Sequence, residues 1–370
     1  MNITKEQKQF FTLLRAGLWG TEADATLFDA TTDWMALYNL AKKQSSIGLI
    51  YEGILTLPTE LRPSRGVFLQ WSNIVAGIEE SNEHLNEELK NVFTLYQNNG
   101  LTPVLLKGQG VAQNYRYPNR RQCGDIDVYL GGDMEKANEL LRPEAVCEEE
   151  EMAKHTAFRW HGVEVENHCI MVSLNAPAAK RFFQKTIEEW YPGGHTLSID
   201  GFQVKVPPHE FNAVFLLIHA INHFFSGGLG LRQVTDWLCL LEATRSQFNK
   251  DLYNHYLQKT SLTRAAKAFG AIAVELLGLP LESLPFTLDK KAYQRGEWLL
   301  GYIWEGGNFG MYRSDKKTRP QGYWAGKWWF FVTSCGYCKD FFQLAPAEAL
   351  WCPIRIASDS IRMQIKRRTS

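Results

Sequence analysis

The chain reads as an α+β protein in which residues 99–206 carry a small mixed sheet, with one helical region before it (1–98) and another after it (207–370). Three observations predict this. Apolar residues recur at spacings of three and four early on, as in Phe10, Leu13, Leu14 and Leu18 and again in Leu85, Leu89, Val92, Phe93 and Tyr96. That is one face of an α-helix. The period then shifts to short apolar runs and strict alternation punctuated by glycine, the pattern of strands and tight turns. From Pro207-Pro208 onward the helical period returns.

Asn98-Asn99-Gly100 is a helix stop, because Asn and Gly tolerate the left-handed conformation that ends a helix. Pro103–Leu106 is a continuous apolar run suited to a buried strand. Lys107-Gly-Gln-Gly110 turns the chain into a helix over Val111–Tyr115. Asp125–Leu130 alternates polar and apolar residues and ends at Gly131-Gly132, as a half-buried strand does. Met134–Leu141 is helical. Thr156–Trp160 and Val163–Ile170 pair across His161-Gly162, and Leu197–Val206 folds back at Asp200-Gly201. Farther on, Leu216, His219, Ala220 and His223 share one helical face. The aromatic stretch Trp324–Phe331 reads as core, and Ile365–Ser370 as a solvated basic end.

Forty basic residues balance forty acidic ones, which argues against a protein that coats nucleic acid. The longest apolar stretch, near Phe211–Phe225, is interrupted by Asn212, His219, Asn222 and His223 and is too polar to span a bilayer. No apolar leader core follows Met1, so the expected location is the cytoplasm. Seven irregularly spaced cysteines fit that compartment, and Cys335-Gly-Tyr-Cys338 alone cannot complete a four-ligand zinc site.

On a strand, Asp125 and Asp127 project to the same side, about 7 Å apart. Carboxylates so placed can bracket hard divalent cations such as Mg2+ or Mn2+ and through them engage nucleotide phosphates. Asp-x-Asp also occurs by chance, and it would equally fit a glycosyltransferase holding a sugar nucleotide. Context raises it here: a strand, a Lys-Gly turn and a helix precede it. A second acidic strand follows, on which Glu164, Glu166 and His168 share a face. Either glutamate is placed to supply a third carboxylate.

The stretch Val104–Ala112, Tyr117-Pro118, Arg121 and Gly124-Asp125-Ile126-Asp127 resembles the uncharacterised bacterial nucleotidyltransferase family of the polymerase-β-type superfamily. Glu166-Asn-His168, then His219, His223, Leu231-Arg232 and Asp236 follow in the family's order. The resemblance covers roughly residues 100–245, with some support from Asn308-Phe-Gly310. It implies a nucleotidyltransferase core in which Asp125, Asp127 and Glu166 hold the metal and carry catalysis. It further implies that Lys107, Gly108, Gly124, Arg121, His168, Arg232 and Asp236 bind a nucleoside triphosphate, with Gly227–Gly230 as a flexible approach. The superfamily turn usually reads Gly-Ser or Gly-Gly, where this chain has Gly108-Gln109.

Several readings stay open from the residues alone. Arg116 and Arg120 are solvated loop residues or phosphate ligands. His219 and His223 are a zinc pair or a hydrogen-bonded pair beside the cleft, and the second suits a segment that lacks the Glu of a metalloprotease motif. Arg232 and Asp236, four apart on a helix, are placed to pair with each other. The protein is expected to transfer a nucleotidyl group, from ATP or another nucleoside triphosphate, to an acceptor that the residues do not identify: small molecule, glycan, protein or RNA. The alternatives are a metal-dependent phosphoryl or glycosyl transferase and a non-catalytic nucleotide-binding regulator.

Overall fold

A computed structural model describes residues 1, 3–151, 154–226, 228–308, 311–312 and 320–369. The first region supplies α1 (Lys5–Trp19), α2 (Trp34–Lys43), α3 (Ile47–Thr56) and the long α4 (Arg65–Asn98). α1 starts where Thr4 and Gln7 form a capping box and stops at Gly20, whose φ of 69° is left-handed. α4 links two cores. Trp71 and Val75 enter the larger, mostly helical one, while Leu85, Leu89, Val92, Phe93 and Tyr96 enter a smaller one beneath the sheet. It ends at Asn98, and Gly100 takes a φ of 75°.

Then come β1 (Val104–Leu106), α5 (Gly108–Ala112), β2 (Asp125–Tyr129), α6 (Met134–Leu141), β3 (Val146–Glu151), β4 (His155–Trp160) and β5 (Val163–His168). They are followed by α7 (Pro177–Trp190), β6 (His195–Ile199) and β7 (Phe202–Val206). The strands form one seven-stranded sheet in the order β3-β4-β5-β2-β1-β7-β6. It is mixed: β1 runs antiparallel to β2 but parallel to β7, and β2 runs parallel to β5. Both expected hairpins form, with His161 and Gly162 at φ 45° and 86° and Asp200 and Gly201 at φ 48° and 81°. Two-residue hairpin turns need left-handed residues of this kind.

β3 and α7 have no counterpart in the elements read from sequence. β3 is an edge strand whose Val-Cys-Glu-Glu-Glu-Glu lacks apolar alternation, and its charges suit an exposed edge. α7 opens with Pro177 in its first turn, where the missing N–H costs nothing.

Alternation along β2 positions the site. Ile126 and Val128 fill the smaller core with α4 and α6, whereas Tyr129 belongs to the larger core on the opposite face. The face carrying Asp125 and Asp127 is therefore turned toward α8 (His209–Ser226) and α9 (Leu231–Thr244). α10 (Lys250–Thr260), α11 (Thr263–Glu275), α12 (Lys290–Gly306), α13 (Tyr323–Phe341) and α14 (Pro346–Thr369) complete the chain. The two helical regions share one core. Buried Gln44 stitches them, donating to Ile303 O at 3.1 Å and accepting from Leu231 N at 3.0 Å.

In the aromatic segment Trp328 departs from the core reading, being 68% exposed, whereas Phe331 packs against the small core of Cys338, Ala349, Cys352 and Ile356. The side chains of Trp324 and Phe330 lie outside the described residues. The basic end reads as a continuation of α14 to Thr369, with Ser370 outside the described residues. Gly227, Phe309 and Gly310 also lie outside them. No described helix is long and apolar enough to cross a membrane.

Candidate active site

A cavity of ≈ 240 Å³ opens between the sheet and the α8–α9 pair. Its sheet wall comes from three adjacent strands. β1 is followed by Lys107, which adopts φ 48° and ψ −136°, a sparsely populated conformation for a side-chain-bearing residue. Such strain costs about 1–3 kcal/mol and persists only where surroundings enforce it. Here the turn delivers the Lys107 ammonium to Asp127, with Nζ 2.8 Å from Oδ1. Gly108 follows at φ +34°, and a Cβ there would stand 3.1 Å from Asp125 O. Both facts favour glycine at that turn. α5 behind it is only five residues long.

Parallel pairing of β2 with β5 sets Asp127 beside Glu166 and Asp125 beside Glu164. Of the two glutamates, Glu166 lines the cavity and Glu164 does not. His168 Nε2 lies 2.8 Å from Asp127 Oδ1 and 3.1 Å from Glu166 Oε2, tying the two carboxylates together. Asp127, Glu166 and His168 form the one cluster among the described residues whose ligand atoms all lie within 4.8 Å of one another. Asp125 and Gly124 complete this wall, and a Cβ at Gly124 would meet no atom within 4 Å.

The opposite wall is built from the loop before β2 and from α8 and α9. Arg121 donates to Asp236 through both arms of its fork, Nε to Oδ1 at 2.6 Å and Nη2 to Oδ2 at 2.7 Å. Its remaining arm donates to Cys123 Sγ at 3.0 Å. Tyr115 OH donates to the same Asp236 Oδ1 at 2.7 Å. The expected partner of Asp236, Arg232, donates instead from Nη1 to Gln122 O at 2.7 Å, holding the loop to α9. The loop is fixed from behind as well, since Asn82 on α4 donates to Asn119 O and Arg121 O, both at 2.8 Å. Arg120 turns away from the cavity to ion-pair with Glu52 and Glu79. His219 and His223 both line the cavity, with their Nε2 atoms 2.8 Å apart.

Electrostatics divide the site. Asp125 is pushed up to about 6, first by the charge of Asp127 and then by burial, with Lys107 pulling the other way. Burial would raise Asp127 too, but Lys107 and His168 outweigh it and hold that carboxylate well below its usual range. Burial likewise disfavours the cationic form of His168, yet its hydrogen bonds to Asp127 and Glu166 raise it. His219 and His223 move the opposite way. Burial, then the nearby Lys107 cation, depress both, His223 to about 4. Burial also lowers Arg232, with Arg121 adding repulsion, whereas Arg121 overcomes its burial through Asp236 and rises.

Nine of the ten site residues expected from sequence thus line one cavity, and the tenth, His168, bridges two of them. Sequence reasoning missed Tyr115, Cys123 and Gln233. Tyr115 and Gln233 carried a weak signal, each lying within a turn or two of a motif residue. Cys123 directly precedes Gly124.

A family described as an uncharacterised nucleotidyltransferase matches residues 30–278, a span that includes the whole cavity. The chain belongs to this family. No curated protein and no solved structure matches it.

Proposed function

We propose that the protein transfers a nucleotidyl group from a nucleoside triphosphate, ATP or another, to an acceptor, with Mg2+ or Mn2+ held by Asp125, Asp127 and Glu166. The observation that carries this reading is one buried oxygen. Asp127 Oδ2 is sealed from solvent and has no hydrogen-bond partner among the described residues, although Asp127 lines the cavity. A buried carboxylate oxygen without a donor is costly unless a cation or proton completes it. The donor set fits a hard divalent ion, since it offers carboxylate oxygens. The raised Asp125 fits too, because a cation held by these carboxylates would relieve the repulsion that raises it. When bound, such an ion neutralises phosphate charge and polarises the phosphoryl group under attack.

The chain's own residues supply the rest. Lys107 and Arg232 place two cations on opposite walls, where they would orient the anionic triphosphate between them. Gly108 and Gly124 line the cavity without a side chain, so a phosphate could approach the backbone there. His168 holds Asp127 and Glu166 in register. Arg121 and Asp236 act as a positioning pair: both arms of the Arg121 fork that face Asp236 are committed to it, so the pair fixes the loop ahead of β2. In this reading residues 99–206 are the catalytic core, 207–370 supplies the facing wall through α8 and α9, and 1–98 braces the loop before β2 through Asn82. The donor's chemistry suits a cytoplasmic enzyme.

The test is incubation of the full chain with α-labelled and γ-labelled triphosphates, Mg2+ or Mn2+, and a panel of small molecules, glycans, proteins and RNA. Metal-dependent release of pyrophosphate with the α-label on an acceptor is the expected result. Movement of the γ-label would make the protein a phosphoryl transferase. Tight nucleotide binding without release of any product would make it a regulator.

A further inference from the structure

We propose that Gln109 is a positioning residue: by anchoring α5 to α4 it holds the Lys107-Gly108 turn in the conformation that presents the Lys107 ammonium to the cavity. This rests on the reading of the cavity as a triphosphate site and deepens it by naming what sets the turn. A residue at φ 48° and ψ −136° stays there only if its surroundings enforce it. At the side-chain end, Asp127 holds the Lys107 ammonium at 2.8 Å. At the backbone end the chain enters α5, which at five residues is too short to be stable on its own. The anchor must therefore come from outside. Gln109, 2% exposed, is the one polar side chain that α5 carries.

Its amide gives both hydrogens to α4, from Nε2 to Asn86 Oδ1 at 2.7 Å and to Asn82 O at 3.2 Å. The direction of these bonds is fixed from the far end. Asn86 Nδ2 donates to Asp200 Oδ2 at 2.7 Å, at the turn between β6 and β7. A carboxylate only accepts, so Asn86 must turn its oxygen toward Gln109, and Gln109 must donate. Gln109 Oε1 is left buried, with no hydrogen-bond partner among the described residues. An apolar side chain would avoid that cost, so what the glutamine adds beyond burial is its two donated bonds. Asn82 completes the link. Its carbonyl takes Gln109, while its Nδ2 donates to Asn119 O and Arg121 O, both at 2.8 Å. α4 thus sets the turn on one wall of the cavity in register with the loop on the other.

The experiment replaces Gln109 by Leu, which keeps the bulk and removes both donors. The first readout is labelling of the full, folded chain with acetic anhydride, followed lysine by lysine by mass spectrometry. Lys107, paired with Asp127 and with 16% of its side chain exposed, should react slowly in wild type. Gln109→Leu should speed its labelling roughly tenfold, the loss of two hydrogen bonds, and leave the other lysines unchanged. The second readout is titration with Mg2+ and α,β-methylene-ATP, whose α–β bridge cannot be cleaved. Gln109→Leu should weaken binding roughly tenfold, yet the double variant Gln109→Leu with Lys107→Met should bind no worse than Lys107→Met alone. Asn86→Leu removes the acceptor without touching α5; it should move both readouts the same way and carries the test should Gln109→Leu not fold. Unchanged labelling at Lys107 overturns the proposal whatever the cavity binds. So do losses that add in the double variant, the mark of a merely structural residue. Faster labelling at Lys107 in a protein whose wild type binds no nucleotide upholds the positioning role and overturns the triphosphate reading instead.

Discussion

The two walls of the cavity solve the problem of buried charge differently. On the sheet wall, Asp125, Asp127 and Glu166 crowd together with Lys107 and His168 as the counter-charges, and one oxygen of Asp127 is left over. On the helix wall, Asp236 is saturated by Arg121 and Tyr115, and the two histidines bond to each other. The carboxylate cluster is under-satisfied, the Arg121–Asp236 pair closed. Unrelieved repulsion lowers stability and is kept where a ligand relieves it, whereas a saturated pair mainly holds geometry. Substitutions of the crowded carboxylates on the first wall should therefore abolish turnover without unfolding the protein, and those that break the Arg121–Asp236 pair should chiefly cost stability.

Asp125→Asn breaks the comparison most sharply if it is wrong. The substitution removes a carboxylate that Asp127 already repels. Turnover should fall by about 10³-fold or more, on the order of 4 kcal/mol of barrier, while Tm stays level or rises. A variant that unfolds, or one that keeps transferring label, would put Asp125 among the structural residues instead.

Asp236→Ala should do the opposite. It leaves the Arg121 guanidinium buried beside a lost partner, a change that costs about 3–5 kcal/mol. Urea unfolding would show it as a lower midpoint at unchanged m. Arg121→Met together with Asp236→Leu removes both charges and should restore much of that stability. If the double variant is as unstable as the single one, the pair is more than a mutual neutralisation.

This contrast also explains what the residues reveal on their own. Asp125 and Asp127 were legible because a strand's period of two fixes which side chains share a face, whereas Lys107, and Glu166 in preference to Glu164, were singled out by the resemblance to the family. Their meeting depends only on β1, β2 and β5 being neighbours. The bond between Arg121 and Asp236 was not legible, because it joins positions 115 residues apart through the packing of α9 against a loop. Local spacing suggested Arg232 as the partner of Asp236. It could not register that burial of Arg121 demands a carboxylate. β3 was missed because four successive glutamates give no alternation to read. The exposure of Trp328 was missed because aromatic content does not say how many sides of a helix find neighbours.

The histidine pair gives a pH test of the helix wall. His223 is depressed from 6.5 to about 4, chiefly by burial. Below pH 6.5 the unfolded chain takes up a proton there that the folded chain refuses until about pH 4. Its contribution is thus intact above pH 6.5 and fades as the pH falls toward 4, by about 3 kcal/mol in total. Thermal unfolding of the metal-free protein at pH 7 and pH 4.5 should show a steeper loss for wild type than for His223→Gln. Parallel curves would mean that this histidine is already protonated in the fold.

The smallest expected effect separates the two glutamates of β5. Glu164 pairs in register with Asp125 and shares the strand face of Glu166, so the sheet alone does not choose between them. Surroundings do. Glu164 lies 3.8 Å from Arg159 on β4, outside the cavity, whereas Glu166 lines it and contacts His168. Burial and the charge of Glu166 raise Glu164, so neutralising it relieves repulsion about as much as losing a half-exposed ion pair costs, with each effect below about 1 kcal/mol. Glu164→Gln should leave Tm level and turnover within about twofold of wild type, while Glu166→Gln lowers turnover by about 10²-fold. A tenfold loss at Glu164 would move the third carboxylate one alternation along β5, and with it the mouth of the site toward Asp125.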